Sequence, residues 1–384
     1  MSKTIVCIVS DDPIVNYLFI KEEYRSGDEV MLIASQYTKN KMKQLKNVLD
    51  VPSEAVRFLT LEKEYDEEVW DTMCRTIRKY LRSDKLYYVN LAGGTRFMSL
   101  AVQVVFAPFN TRFFFVSGKR NMVISSMIDD NNDNNDDRFF TIKHRLSVSK
   151  YLKVNGLKAK ANQLTRDYAS TKRFFDMFVN GLLSNQDYDK IDILRNSYRN
   201  CSSIDIDAVE NQPGTKGKPR IYGLSSFLGS VGFVPETPGV LNNAELRFLT
   251  GGWFEEYVYY KIKEDINPDS IEVGVAILRD PSPISNDLDV VFTLCNKLFV
   301  VECKTGVEKT STFHQIAYKA CALHESLLGL SSHAYICSLS SDNKENLTMM
   351  AKNMDIWYCD RSYFTDPKKW QVFIDNVKMQ AYGK

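Results

Sequence analysis

Leu298-Phe299-Val300-Val301-Glu302-Cys303-Lys304 reads as a buried central strand that ends in an acid, a thiol and a lysine. Side chains alternate along a strand, so Glu302 and Lys304 point to one face and Cys303 to the other. An acid and a lysine two residues apart at the end of such a run are costly unless they bind something. A turn at Cys295-Asn296-Lys297 joins this strand to Asp289–Leu294 and brings Asp289 level with Glu302. Ahead lies a helix from Trp253 to about Lys263, carrying Glu255 and Glu256. Behind come a helix expected over Thr312–Leu327, with Gln315, Tyr318 and Lys319, then a strand at Ala334–Ser338. A helix around Glu345–Met354 and a short strand at Asp355–Cys359 follow.

Clustered carboxylates repel one another unless a cation joins them, and hard oxygen donors suit Mg²⁺ or Mn²⁺. Such an ion keeps most of its waters, activates one against phosphorus and offsets phosphate charge. Lys304 is a compact point charge that can hold a water or a phosphate oxygen. An acid-x-lysine pair alone also describes a surface salt bridge. The apolar strand, the hairpin and the flanking helices favour a site. His144, His314, His324 and His333 show no ligand spacing.

The first 128 residues alternate between strand-like and helical runs. Strands are expected at Thr4–Val9, Glu29–Ser35, Ala55–Leu61, Leu86–Leu91 and Arg112–Ser117, with a hairpin strand over Met122–Met127. Helices are expected at Pro13–Tyr24, Lys39–Leu49, Glu67–Leu81 and Thr95–Phe106. This predicts an α/β, doubly wound parallel sheet. Its carboxyl edge gathers Ser10-Asp11-Asp12-Pro13, Ser35-Gln36 and Asn90-Leu91-Ala92-Gly93-Gly94-Thr95-Arg96, the place where ligands bind such sheets. The two glycines permit a tight turn, and the helix that follows offers free N–H groups to an anion. The loop is neither a Walker loop nor Gly-x-Gly-x-x-Gly, so a nucleoside triphosphate or NAD is not indicated.

The chain has 384 residues, which suggests two or three domains. With 44% hydrophobic residues it is no disordered chain, and at a net charge of +1 it is no bulk polycation. Any nucleic-acid contact must come from local patches. Residues 150–173 hold seven basic residues, Lys160 and Arg166 among them, against one acid, Asp167. That cluster reads as a solvated face or a phosphate-contacting patch. Residues 155–245 otherwise read as mixed helices and loops. Asp129–Asp137 is an acidic, low-complexity run, read as a solvated loop. Eight scattered cysteines without a Cys-x-x-Cys pair suggest free thiols in a reducing, cytoplasmic setting. No apolar run is long enough for a membrane span, and no signal peptide is visible.

The sheet with Asn90–Met98 resembles the CRISPR-associated Rossmann fold (CARF) domain, whose members carry a similar Asn-x-Thr-Gly-Gly-Thr-Lys loop. Asp289 with Glu302-Cys303-Lys304 resembles the PD-(D/E)xK restriction-endonuclease-like superfamily. Together with Gly251-Gly252-Trp253-Phe254-Glu255-Glu256-Tyr257-Val258-Tyr259, it is similar to the nuclease half of a CARF–nuclease family. Members of that family are cyclic-oligoadenylate-activated effectors of type III CRISPR defence in prokaryotes. Two departures stand out: Ala92 replaces the usual Thr, and Asp287 stands where Glu is usual. The resemblance implies a CARF ligand-sensing domain over 1–150, a connecting, mostly helical region over 151–244 and a nuclease domain over 245–384.

The resemblance further implies a homodimer gated by cyclic tetra-adenylate, bound by the three loops named above. The nuclease would be metal-dependent, cutting single-stranded DNA or RNA or nicking duplex DNA. Asp289, Glu302 and the Cys303 carbonyl would hold Mg²⁺ or Mn²⁺. Lys304 would act on water or phosphate, and Glu255 would bridge or orient a second cation. A ligand-binding transcription regulator, a ring nuclease degrading the cyclic ligand and a constitutive repair nuclease remain as alternatives.

Overall fold

The computed structural model describes residues 2–61, 69–125, 139–278, 286–305, 332–340 and 344–383. The N-terminal part alternates as the sequence predicts: β1 (Lys3–Ile8), α1 (Ile14–Glu23), β2 (Glu29–Ser35), α2 (Lys39–Val48), β3 (Val56–Leu61), α3 (Trp70–Arg78), β4 (Leu86–Asn90), α4 (Arg96–Phe106) and β5 (Thr111–Ser117). β6 (Met122–Ser125) and β7 (Phe139–Thr141) complete a sheet of order β3-β2-β1-β4-β5-β6-β7. The first five strands pair in parallel, and the last two add antiparallel. β1 is buried on both faces, from Ile5 to Ile8. Strand order reverses between β1 and β4, which opens a crevice at their carboxyl ends. The acidic run Asp129–Asp137 and the helix expected over Thr312–Leu327, with Gln315, Tyr318 and Lys319, lie outside the described residues.

The chain continues with α5 (Val148–Val154), β8 (Lys158–Asn162), α6 (Tyr168–Val179) and α7 (Asn185–Ile193), then a π-turn over Leu194–Tyr198. β9 (Ser203–Asp205), α8 (Ile206–Asn211), α9 (Leu224–Ser230), β10 (Val240–Asn242) and α10 (Asn243–Arg247) follow. After these come α11 (Trp253–Asp265), β11 (Ser270–Leu278), β12 (Asn286–Leu294), β13 (Lys297–Lys304) and β14 (Ser332–Ser338). α12 (Lys344–Asn353), β15 (Ile356–Cys359), α13 (Arg361–Thr365) and α14 (Pro367–Tyr382) close the chain. The second sheet runs β15-β14-β13-β12-β11-β8. Two of its strands are unforeseen in the sequence. β11 pairs with β12, and the lysine-rich β8 forms the edge.

Aromatic packing fixes this half. Phe175 stacks on Tyr257 at 4.2 Å, and Phe174 lies 6.3 Å from Trp253, so α6 and α11 share a core. Tyr198, Leu224 and Phe227 enter the same core with Phe254, Phe292 and Phe299. Burying a side chain of this size contributes about 1.5–3 kcal/mol. Six of the seven described cysteines are buried, and all seven are free thiols. No helix among the described residues is long and apolar enough to cross a membrane.

The two sheets are joined through the β12–β13 turn. Cys295 and Asn296 both take positive φ, 51° and 63°, which the two-residue hairpin turn requires. The buried Asn296 side chain donates to the Asn121 side chain (2.8 Å) and the His144 carbonyl (2.9 Å), and accepts from the Leu146 amide (2.9 Å). Lys297 Nζ donates to the Lys119 carbonyl at 2.9 Å. Thr293 Oγ1 donates to the Leu146 carbonyl at 2.6 Å. One end of the hairpin is therefore held against the first sheet.

Candidate functional site

The other end of that hairpin carries the acids. Val290 pairs with Val301, so Asp289 and Glu302 follow one step further along the two strands. Asp289 Oδ2 accepts from the Cys303 amide (2.7 Å) and from Lys304 Nζ (2.8 Å). Lys304 Nζ also reaches Glu302 Oε2 at 3.4 Å and the Cys303 carbonyl at 3.0 Å. Alternation leaves the Cys303 thiol in the core, where burial pushes its pKa up. Burial works against the Lys304 ammonium, but Asp289 and Glu302 outweigh it and raise its pKa.

Lys304 Nζ therefore occupies the point on which Asp289, Glu302 and the Cys303 carbonyl converge. Among the described residues no three His, Cys, Asp or Glu side chains already surround a metal-sized point. The donor set fits a hard divalent cation once the lysine moves aside, because three oxygen groups already face one positive centre.

Glu255 enters from α11. A π-turn over Phe248–Gly252 precedes that helix, and Gly251 takes φ +135°, which an L side chain rarely adopts. The Gly-Gly-Trp stretch thus sets where α11 starts and where Glu255 points. Burial, then the neighbouring Asp289, raises the Glu255 pKa to about 8, against the pull of Lys304 and Arg199. Glu256, beside it, is held by backbone amides. Its two oxygens accept from the Thr165 amide (2.8 Å) and the Arg166 amide (3.0 Å) and tie α11 to the start of α6. Glu255 and Asp289 line a cleft of about 480 Å³ together with Asp287 and residues of β8 and α10.

The loops of the first sheet are positioned by two asparagines. Asn90, fully buried, donates to Asn16 Oδ1 (3.0 Å) and accepts from the Ala92 amide (3.1 Å). Asn16, which the sequence reading did not single out, donates to the Ile8 carbonyl at 2.7 Å. Asn90 thus holds the loop from beneath. A Cβ on Gly93 would lie 1.8 Å from the Ile8 carbonyl oxygen. Gly94 has φ +70°, and its Cβ would lie 2.3 Å from Ile8 Cγ2. Both glycines are required by packing on β1, whatever binds outside.

Gly93→Ala is therefore expected to cost about 3 kcal/mol of stability, seen as a lower midpoint in denaturant. An unchanged midpoint would contradict this packing.

Thr95 caps α4, its Oγ1 accepting from the Met98 amide at 3.1 Å. Asp12 Oδ1 accepts from the Ile14 amide at 3.0 Å, Ser10 Oγ donates to the Asp12 carbonyl at 3.0 Å, and burial raises the Asp12 pKa. Pro13 is buried and Ala92 half-buried. Ser35 is buried and donates its amide to Thr38 Oγ1 at 3.1 Å. Asp11, Gln36, Thr95 and Arg96 are left exposed.

Comparison with known proteins follows the same division. Residues 4–151 match the family described as the Card1 CARF domain, and residues 242–368 match the Card1-like endonuclease domain. No curated protein matches the chain in sequence. Among solved structures, protein VC1899 from Vibrio cholerae superposes with a TM-score of 0.77 at 18% identity, covering 100% of this chain and 99% of that one. Can2 from Sulfobacillus thermosulfidooxidans, in complex with cyclic tetra-adenylate, gives 0.65 at 21% identity, covering 97% and 99%. A type III CRISPR defence DNA nuclease activated by cyclic oligoadenylate gives 0.56 at 12%, covering 98% of this chain and 52% of that one. At such identities the likeness speaks for the fold. The two family matches speak for the domains: this chain joins a CARF domain of the Card1 family to a Card1-like endonuclease domain.

Proposed function

We propose that this chain is a cyclic tetra-adenylate-activated, metal-dependent PD-(D/E)xK endonuclease of type III CRISPR antiviral defence. It acts as a homodimer on single-stranded DNA or RNA, or nicks duplex DNA. The observation that carries this reading is the convergence of Asp289, Glu302 and the Cys303 carbonyl on one cationic point. That point sits at the free end of a hairpin whose turn is bound to the sensing half. A ligand that shifts the first sheet has a direct mechanical route to the acids. The cyclic tetra-adenylate complex named for Can2, and the activation by cyclic oligoadenylate named for the type III nuclease, support the choice of ligand.

A homodimer is supported by an uncovered apolar face. Phe97, Leu100 and Val104 recur along α4, the helix that starts at the Gly93-Gly94 loop, and all three are exposed. Phe115, Ile124 and Phe139 sit opposite one another across β5, β6 and β7 and are exposed too. Contiguous apolar patches of this kind mark association surfaces. Pairing through α4 would bring two copies of the loop around one symmetric ring.

Asp289, Glu302 and the Cys303 carbonyl would hold Mg²⁺ or Mn²⁺, which supplies an activated water and offsets charge on the scissile phosphate when bound. Lys304, released from its ion pairs, holds a phosphate oxygen or orients the water. Glu255 accepts a proton or adds a carboxylate, according to pH. Excess chelator should stop cleavage, and added Mn²⁺ should restore it; undiminished cutting in chelator would contradict the reading.

The raised Glu255 pKa gives the pH dependence a sign. The folded state binds the Glu255 proton more tightly than the unfolded chain does, so without a cation stability falls as pH rises from 4.5 to about 8. A cation must displace that proton at low pH but meets a carboxylate at high pH. The rise in melting temperature on adding Mn²⁺ should therefore be larger above pH 8 than near pH 6. Equal rises at both would place the cation away from Glu255.

A further inference from the structure

The cleft beside Glu255 and Asp289 is lined by cations as well as acids. Lys160 from β8, Arg199 at the end of the π-turn and Arg247 at the end of α10 all line it. All three are exposed, and among the described residues none of them forms an ion pair. Their neighbours differ. Arg166 is bound to the fully buried Glu245 at 2.7 Å, and Arg195 to Asp192 at 2.8 Å. The backbone beneath the three is held firmly. Asn243 Nδ2 donates to the carbonyls of Arg199 (3.0 Å) and Cys201 (2.8 Å). Asn242 and Glu245 close a capping box at the start of α10, and β8 is paired along β11.

A cleft lined by both carboxylates and cations that form no ion pair suits a chain of phosphates. The acids repel such a chain and the cations attract it, so its backbone is held at the rim while one phosphate is brought to the acids. An arginine fork matches two phosphate oxygens at once, and a lysine adds a point charge. The field of Arg199 already reaches Glu255, whose pKa it lowers against the stronger effects of burial and Asp289.

We propose that Lys160, Arg199 and Arg247 are the phosphate-holding cations of the cleft and position a nucleic-acid strand against Glu255 and Asp289. The assignment rests on the endonuclease reading above and names the groups that receive its substrate. Lys160 and Arg199 lie between the two segments matched by the families. That intervening stretch therefore supplies two of the three cations of the cleft.

The test measures binding in the full-length, inactive Glu302→Gln protein, using a fluorescently labelled single-stranded DNA oligonucleotide over a range of salt. Each phosphate contact contributes about 0.7 to the slope of log affinity against log salt for a single strand. Arg199→Gln, Arg247→Gln and Lys160→Gln should each lower the slope by about that amount and weaken binding several-fold. Arg199→Lys should keep the slope. Lys172→Gln, on the exposed and ion-paired face of α6, should change neither. The three variants sit on three separate elements, so a folding defect in one leaves two to read. Binding with the parental slope in all three would overturn the assignment while leaving the endonuclease reading in place. A parent chain that neither cuts nor binds nucleic acid would overturn both.

Discussion

Glu302→Gln is expected to lower nucleic-acid cleavage by at least about a hundredfold, because it removes one of the two charges that face the cationic point at the end of β13. The choice of glutamine follows from burial. A strand-end position suggests from the sequence that alanine at Glu302 or Lys304 would leave the fold intact, but Glu302 is only 1% exposed. Alanine there would leave a hole. Lys304→Ala would leave Asp289 and Glu302 side by side without their shared cation, a change that destabilises by itself. Glutamine keeps the shape and still accepts from Lys304 Nζ. The check is a cleavage time course beside a thermal melt. Loss of cutting with an unchanged melt fits the account, and retained cutting at near-parental rate contradicts it.

Arg96→Ala is expected to weaken cyclic tetra-adenylate binding and to remove ligand-stimulated cleavage. Arg96 opens α4, is exposed, and forms no ion pair among the described residues. A charge-assisted bond to phosphate is worth about 1.5–3 kcal/mol, or tenfold and upward in affinity. A symmetric dimer loses two such bonds, so the total reaches about a hundredfold. Gly94, in the same loop, is a poor probe. A side chain there strikes Ile8 and disturbs β1 before any ligand arrives. Thr95→Ser serves as a control, since serine caps α4 as threonine does. Titration of labelled ligand reads the effect, and parental binding by Arg96→Ala would place the pocket elsewhere.

The sequence made the first sheet legible because its strands are continuous apolar runs separated by short polar loops. Glu29–Ser35 is the same strand in both readings. The acids were legible for a related reason. Period-two alternation puts Glu302 and Lys304 on one side, and a two-residue turn sets Asp289 against them. β8 was not legible, because Lys158-Ala159-Lys160-Ala161-Asn162 lacks the β-branched and aromatic residues that mark a strand. It pairs only because β11 offers an open edge. Arg199 and Arg247 carried no local signal either; their shared cleft is created by the packing of β8, α10, α11, β11 and β12. The bond between Asn121 and Asn296 spans 175 residues, and no local pattern announces a contact of that range. Of the Asn90 loop, sequence gave the turn and the cap, while its buried support from Asn16 required the fold.

Ligand binding in the first half is expected to switch on cleavage in the second. This coupling is tested most directly by incubating the parent protein with Mn²⁺ and labelled single-stranded DNA, RNA or supercoiled plasmid, with and without cyclic tetra-adenylate. Strong cleavage of at least one substrate is expected with the ligand present, and little without it. Cleavage at the same rate in the absence of ligand would contradict this coupling and leave a constitutive nuclease.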